Sequence, residues 1–375
     1  MWITVVDPPA YTPPYDHSLC AALAARGLQV ELATSRFRHE SPPEPDGYVR
    51  SECFYRWAPG SRLAKAAQHP VDMLRLARRV RQRRPGVTHF QWLPLPALDV
   101  GLLAGFPRPR ILSVHELPPP RRGAGRRRAR LTKALSSSVE AVIVHSEHAR
   151  GRLLDELSVR ADKVAVIPHG SFDYLTRLRE ELPIDEAAGD LEGRKVVLCF
   201  GLIRPYKGID LLLEAFASTP DEAVLLVVGR PLMPIEPLRR RARELGIEER
   251  VRLVPRFVAE SEVPAYFRRA DLVTLPYRDA DQSGVVFTAL AFGAPLLLSA
   301  VGGFVELAEQ HGAARLVPPD DIDALAGAIV ELLADDAARA ALSKAARRAA
   351  EGPYSWSRAA HLTHELYLSL WDESR

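Results

Sequence analysis

Cysteine is scarce and neither sign of charge dominates. Cys20, Cys53 and Cys199 are the three cysteines in 375 residues, far apart and in no CxxC or Cys/His spacing. That excludes a disulfide framework and a structural zinc centre, and sets the expectation of a reducing, cytoplasmic setting with no bound metal. Lys and Arg number 50 against 47 Asp and Glu, a formal charge of +3. The chain as a whole is therefore no polyelectrolyte binder, and no nucleic-acid partner is expected. No apolar run reaches the roughly 20 residues that span a bilayer, and the opening MWITVVDPPA lacks the basic and apolar regions of a secretory leader.

What recurs instead is the short apolar run followed by a segment of helical spacing. WITVVD, LQVELAT, THFQWL, RILSVHE, AVIVHS and VAVIPHG come first; RKVVLCFG, AVLLVVG, VRLVPRF, DLVTLPY, APLLLSAV and ARLVPP follow. Continuous apolar runs of this length are strands covered on both faces, and their alternation with helices such as Asp16 to Arg26 and Glu147 to Leu157 implies parallel sheets with crossover connections. The pattern pauses over the polar, acidic stretch from Ser171 to Gly193, read as an inter-domain linker. The expectation is an α/β chain of two tandem Rossmann-like, doubly wound domains, 1–175 and 193–353, facing across a cleft. The segment 354–375, YSWSRAAHLTHELYLSLW onward, returns after a short link at Glu351 to Pro353 and completes the first domain. Ligands of such sheets bind beyond the C-terminal strand ends.

One such end reads FGLIRPYKGID. Arg204 supplies a planar fork for phosphate oxygens and Lys207 a mobile point charge, while Gly201 and Gly208 permit close backbone approach. A diphosphate fits these groups, although a bare RxxK also describes two solvated loop cations. Further along, DQSGVVFTALAFGAP places Ser283 and Gly284 before a helix, and SAVGGFVEL does the same with Gly302 and Gly303. Such helix N-termini hold anions through unpaired N–H groups and the helix dipole, so three anion-facing elements fall on the strand ends of one sheet.

In these segments the sequence resembles the group 1 (family 4) retaining glycosyltransferases of the GT-B fold, over most of its length and in the same order. GLIRPYKGIDLLLEAF is similar to the family's G-x5-K-G segment, whose Arg and Lys hold the donor diphosphate; they correspond to Arg204 and Lys207. VIPHG, DLVTLPY, AFGAPLLLSAVGGFVEL, ARLVPPDDIDALAGAI and YSWSRAA are similar to further family segments. The resemblance implies transfer of a hexose-type sugar from a nucleoside-diphosphate sugar, UDP- or GDP-linked, with retention at the anomeric carbon and no metal or other cofactor. The setting it suggests is polysaccharide, glycolipid or natural-product assembly. The nucleotide is expected on the second domain and the acceptor on the first. His115, in SVHELP, stands where the family places a histidine beside the donor sugar; His145 and His169 are weaker candidates. Arg256, Phe257 and Val258 lie where relatives meet the nucleobase, largely through backbone.

The match fails at two places. Family members carry E-x7-E; here Thr288 takes the place of the second glutamate, and the first falls near Ala280 or Asp281. A hydroxyl cannot accept both protons of the ribose diol as a carboxylate does, so donor binding is expected to lean on the diphosphate, on Ser283, Gly284 and Val285, and on Asp281 as a carboxylate near the reacting centre. The missing glutamates also fit a catalytically silent sugar-nucleotide-binding protein. In the first domain the loop after the first strand is DPPAYTPPYDHS rather than glycine-rich. Its prolines donate no N–H, so Tyr11, Tyr15, Asp16 and His17 are expected on the acceptor side, with Asp16 equally suited to cap the helix. Two basic stretches, Arg78 to Arg84 and Arg121 to Arg130, suit either a solvated helix face or an anionic membrane surface carrying a lipid-linked acceptor.

Overall fold

The computed structural model describes residues 1–37, 43–57, 60–83, 86–117 and 124–373, with the backbone alone for 124–129 and 373. It divides into two compact units, Met1–Gly170 with Trp356–Arg375, and Ser171–Ser355.

Among the described residues, the first unit holds a seven-stranded parallel sheet: β1 (Trp2–Asp7), β2 (Gln29–Ser35), β3 (Val49–Phe54), β4 (Gly86–Phe90), β5 (Arg110–Ser113), β6 (Ala141–Val144) and β7 (Val164–Val166), in the order β3-β2-β1-β4-β5-β6-β7. Its helices are α1 (Pro13–Ala25), α2 (Arg62–Gln82), α3 (Pro96–Leu103), α4 (Ala124–Ser137) and α5 (Glu147–Leu157). The second unit repeats the plan with six parallel strands: β8 (Lys195–Phe200), β9 (Ala223–Val228), β10 (Val251–Val254), β11 (Leu272–Leu275), β12 (Leu296–Ser299) and β13 (Arg315–Val317), in the order β10-β9-β8-β11-β12-β13. The helices here are α6 (Ile209–Phe216), α7 (Glu236–Glu244), α8 (Val263–Arg269), α9 (Gly284–Phe292), α10 (Gly303–His311), α11 (Ile322–Ala334) and α12 (Asp336–Glu351). The chain ends in α13 (Trp356–Glu373), which belongs to the first unit.

The strands show why continuous apolar runs mean two covered faces. In β8, Val196 and Leu198 enter one core cluster while Val197 and Cys199 enter another, on the opposite side of the sheet. β9 does the same with Val224, Leu226 and Val228 against Leu225 and Val227. Each fully buried aliphatic side chain of this kind contributes roughly 1.5–3 kcal/mol. Helix boundaries follow local chemistry. Ser146 accepts from the Ala149 amide at the start of α5, and Asp321 and Asp335 do the same for α11 and α12. Pro13 occupies the first turn of α1, where its missing N–H costs nothing.

Two expectations are corrected. The stretch 171–193 is part of the second unit, not a free linker: Leu175, Ala188 and Leu191 are buried in its core, since a polar stretch needs only a few apolar side chains to be anchored. Helix α1 begins at Pro13 rather than Asp16, so Asp16 lies inside the first turn and Thr12 holds the cap position. Among the described residues, no helix is long and apolar enough to cross a membrane, and no group of three or more His, Cys, Asp or Glu is placed to hold a metal ion.

Candidate functional site

In the second unit, strand order reverses between β8 and β11, and crevices at such switch points are where open α/β sheets bind ligands. The chain leaving β8 makes a short turn over Pro205–Lys207 before α6; the chain leaving β11 runs through Pro276 to Ser283 into α9. Lys207 is buried, with its Nζ 3.4 Å from the Phe200 carbonyl and 5.0 Å from the centre of the Tyr277 ring. Gly201, at φ +100°, makes room for it: a β-carbon there would lie 2.8 Å from that Nζ and 3.0 Å from Val285 Cγ2. Burial pushes the neighbouring Cys199 thiol up to about 11, with the Lys207 charge opposing part of that rise. Arg204 is half-buried, and its guanidinium makes no hydrogen bond or ion pair with the described residues.

Ser283 occupies the cap position of α9 in extended backbone without a side-chain cap bond; its hydroxyl lies 3.3 Å from that of Tyr277. Gly284 is exposed and Val285 half-buried, so the first turn of α9 presents backbone N–H groups beside Lys207. The second glycine-led terminus is less open than expected. The Gly303 amide that begins α10 donates to the Asp281 carbonyl at 3.1 Å, which ties this turn to its neighbour. Asp281 itself is buried.

Thr288 lies one turn into α9, buried, and its hydroxyl donates to the Gly284 carbonyl at 3.0 Å. Its proton is spent, leaving the oxygen able only to accept. Arg256 is likewise committed: its guanidinium pairs with Asp185 and Glu262 and donates to the Phe257 carbonyl at 2.9 Å. It fixes the loop that carries Phe257, and Val258 packs against the core.

In the first unit, the acceptor-side expectations divide. Tyr11 is 63% exposed and meets Trp92 edge-on at 5.4 Å. His17, half-buried, has Nδ1 3.1 Å from the Tyr48 hydroxyl and lines a small recess with Asp16, Arg50 and Ser35. Tyr15 and Asp16 do not meet the expectation of exposed sugar-binding groups. Tyr15 is buried among the rings of His115, His145, His169 and Trp356, at 4.7, 5.4, 4.9 and 5.0 Å, because it lies on the inward face of α1. Asp16 is 1% exposed and lies beside Asp7, with Oδ1 of each carboxyl buried and without a hydrogen-bond partner among the described residues; burial raises Asp7 to about 6 and holds Asp16 well above the carboxylate range.

His115 stacks on Trp92 at 5.0 Å and 16°, and is one of four histidines at the C-terminal ends of β4 to β7: His89, His115, His145 and His169. Burial lowers all four, His145 to about 4, His89 and His169 to about 3, and His115 well below its usual value, so the group is neutral at physiological pH. Neutrality fixes the protons. His145 Nδ1 donates to the Ile167 carbonyl at 2.9 Å, so its Nε2 accepts from His115 Nδ1 at 3.3 Å. His115 Nε2 is then bare and lies 2.9 Å from the end of the Gln91 amide assigned as Oε1, so this proton arrangement requires that amide to be turned with its NH2 toward the ring. Sequence reasoning passed over His89. The signal is the recurrence of histidine at or just past the end of four successive strands, in THF, VHE, VHS and PHG.

The basic stretches are partly structural. Arg79 and Arg83 pair with the buried Glu31, Arg79 at 2.9 Å, leaving Arg78 and Arg81 exposed; Arg84 lies outside the described residues. The outward side of α2 also exposes Leu63, Val71 and Leu74, and Arg75 lies over the exposed Trp57 ring at 4.5 Å. Of the stretch Arg121 to Arg130, residues 121–123 and the side chains of 124–129 lie outside the described residues.

Two family models match the chain: one described as Glycosyltransferase Family 4 over residues 15–171, the other as Glycosyl transferases group 1 over 194–335. The chain is 32% identical over 195 residues to the GDP-mannose-dependent alpha-(1-6)-phosphatidylinositol monomannoside mannosyltransferase of Mycolicibacterium smegmatis, a match covering 49% of this chain and 48% of that protein. To the D-inositol 3-phosphate glycosyltransferase of Kineococcus radiotolerans it is 27% identical, across 94% of this chain and 89% of the relative. The match thus spans about half the length of the first of these relatives and most of the second. Among solved structures, a sucrose-phosphate synthase from Thermosynechococcus elongatus superposes with a TM-score of 0.78 at 23% identity, over 100% of both chains. Anabaena HepE in complex with UDP and glucose gives 0.77 at 19%, over 99% of this chain and 100% of that one. At such identities these structures speak to the fold alone. With two parallel α/β sheets in the described structure and both halves of the sequence matched, the chain belongs to the group 1, family 4 glycosyltransferases and has the GT-B fold.

Proposed function

We propose that this protein transfers a sugar from a nucleoside-diphosphate sugar to a hydroxyl acceptor, with retention at the anomeric carbon and without a metal. The observation that carries the reading is the buried Lys207 ammonium, seated against Gly201 beside the uncapped first turn of α9 and three residues from Arg204. Two cations beside the uncapped N-terminus of a helix gather positive potential in one place, and a diphosphate matches that pair of cations with those amides. UDP and GDP are both supported: one structural neighbour is described in complex with UDP, and one relative is named as GDP-mannose-dependent.

Negative charge grows on the diphosphate as the bond from the anomeric carbon to phosphate oxygen breaks, and groups already fixed in place lower that barrier most. Arg204, Lys207 and the α9 amides meet that charge. The acceptor oxygen forms its bond to the same face of the sugar, and its proton passes to the departing diphosphate, so the step balances without an enzymatic nucleophile. His115 offers a neutral polar contact to the sugar, and Asp281 a carboxylate. Thr288 receives one ribose hydroxyl, and the backbone at Phe257 meets the base. Tyr11 and His17 serve the acceptor.

The relatives named for inositol phosphate and phosphatidylinositol substrates support a polyol or lipid-linked acceptor. The exposed leucines and arginines of α2 support contact with an anionic membrane surface, since apolar burial and attraction of cations to anionic lipid add. Co-sedimentation with phosphatidylglycerol vesicles across a salt series tests this; no binding at low ionic strength removes it.

Thr288 in the place of the family's carboxylate favours a second reading, a protein that binds the sugar nucleotide without transferring it. Incubation with UDP-, GDP- and dTDP-sugars, with free nucleotide and the anomeric configuration of product followed by NMR, separates the two. Tight binding with neither hydrolysis nor transfer supports the silent binder, and binding of no nucleotide overturns both.

A further inference from the structure

The turn that presents Arg204 and Lys207 is short and borders solvent, and such a turn does not hold two cations in place unaided. Three consecutive residues leaving β11 hold it. Gly208 presses so closely on the Pro276 carbonyl that a β-carbon would fall 2.1 Å from that oxygen. The Tyr277 ring lies under the Lys207 ammonium. Arg278 makes the rest of the connection: its backbone N–H donates to the Tyr206 carbonyl at 2.8 Å, and its guanidinium donates to the Pro205 carbonyl at 3.0 Å. The same guanidinium takes Asp210, at the start of α6, with two bonds of 2.9 and 2.7 Å, and Asp320 with one of 2.8 Å. Every nitrogen of the fork is engaged with a carboxylate, one of them with the Pro205 carbonyl as well, so Arg278 is not available as a further phosphate ligand.

We infer that Arg278 is a positioning residue for the donor diphosphate: it braces the Pro205–Lys207 turn against the exit of β11 and so fixes where Arg204 and Lys207 meet their anion. The inference rests on the donor reading given above. A lysine cannot replace it, because one ammonium cannot serve a backbone carbonyl and two carboxylates in different directions. Asp210 and Asp320 offset its charge, which keeps it from competing with the two working cations for the ligand.

The test uses the full chain, with UDP and GDP as probes in calorimetry and with hydrogen exchange of residues 204–210 in the nucleotide-free protein. Arg278→Ala is expected to speed exchange through this turn and to weaken nucleotide binding by about ten- to a hundredfold, the scale of a small misplacement of a binding group. Arg278→Lys should behave like the alanine variant. In an Arg204→Ala background the same replacement should cost less than in the parent, since a brace loses value when part of what it holds is gone. Unchanged exchange, full recovery by lysine, or strict additivity with Arg204→Ala each overturns the inference. A parent protein that binds neither nucleotide while Arg278→Ala still speeds exchange overturns the donor reading and leaves the brace as architecture only. Because Arg278 is about one-third exposed, at 32%, these variants are expected to fold.

Discussion

The Lys207 ammonium stands 2.8 Å from the point where a β-carbon on Gly201 would lie. The two residues define one another: the glycine is needed because the lysine folds back over it, and the lysine reaches its place only because nothing projects from residue 201.

Replacing either should therefore damage the same function. Lys207→Ala is expected to lower sugar transfer by about 10²–10³, the loss seen when one fixed group facing developing charge is removed. Gly201→Ala should weaken UDP or GDP binding as well, because it adds a side chain at φ +100° and displaces the ammonium. Steady-state kinetics and calorimetry on both variants check this, and parental rates in Lys207→Ala would remove the donor site.

Thr288 should matter to the nucleoside and not to the phosphates. Its hydroxyl already donates to the Gly284 carbonyl, so a ribose hydroxyl can only donate to it, a single bond worth about 1 kcal/mol. Thr288→Val is expected to weaken UDP or GDP several-fold while leaving inorganic pyrophosphate unaffected. Equal losses for both ligands would place Thr288 in the packing of α9 instead.

Stability should fall on the acid side of neutrality. His89, His115, His145 and His169 are all held below their ordinary value in the folded chain. The unfolded chain takes up protons there below about pH 6.5 and the folded chain does not. Their contribution is complete above about pH 6.5 and is lost as pH falls toward 4, each histidine adding at most about 1.4 kcal/mol per pH unit. Denaturant unfolding between pH 7.5 and 5 measures the slope.

The carboxyl pair acts with the opposite sign. Burial raises Asp7 to about 6 and holds Asp16 well above the ordinary carboxylate range, so the stability this pair confers is present in acid and is lost as pH rises from the ordinary carboxylate range through about 6. Asp16→Asn removes one buried acid while an amide N–H can still serve the Asp7 oxygen. It should raise the unfolding free energy at pH 7.5, with a smaller gain at pH 4.5.

Trp356 should be one of the costliest single truncations. Its indole covers Gly170 and packs against Tyr15 and His169, joining α13 to the strand ends of the first unit. Trp356→Ala is expected to cost about 3–5 kcal/mol in denaturant unfolding, and a cost under 1 kcal/mol would show that α13 is held elsewhere.

Much of this molecule can be read from order along the chain. Apolar runs such as VVLCF and VLLVV announce strands buried on both faces because side chains alternate across a sheet, and the RPYKG turn shows in its residue types why a diphosphate is the ligand to test there. Order along the chain did not reveal what other segments do to a residue. Tyr15 looks like an exposed ring in a polar loop, yet α1 begins early enough to turn it inward. Arg256 reads as a cation in a loop, and only the fold shows that Asp185, 71 residues away, joins nearby Glu262 in holding it. The stretch 171–193 is polar on average, and Leu175, Ala188 and Leu191, with Phe172, Tyr174, Leu178 and Ile184 packed beside them, still anchor it.

The sequence by itself determined the alternation of strand and helix, the doubled α/β plan and the cationic character of the RPYKG turn, because each depends on neighbours within a few residues. Only the tertiary structure decided which charged groups are spent on one another, which histidines share a neutral cluster, and that Arg278 braces the turn from another strand. Those outcomes depend on distances between segments far apart along the chain, which close only when the sheet has formed.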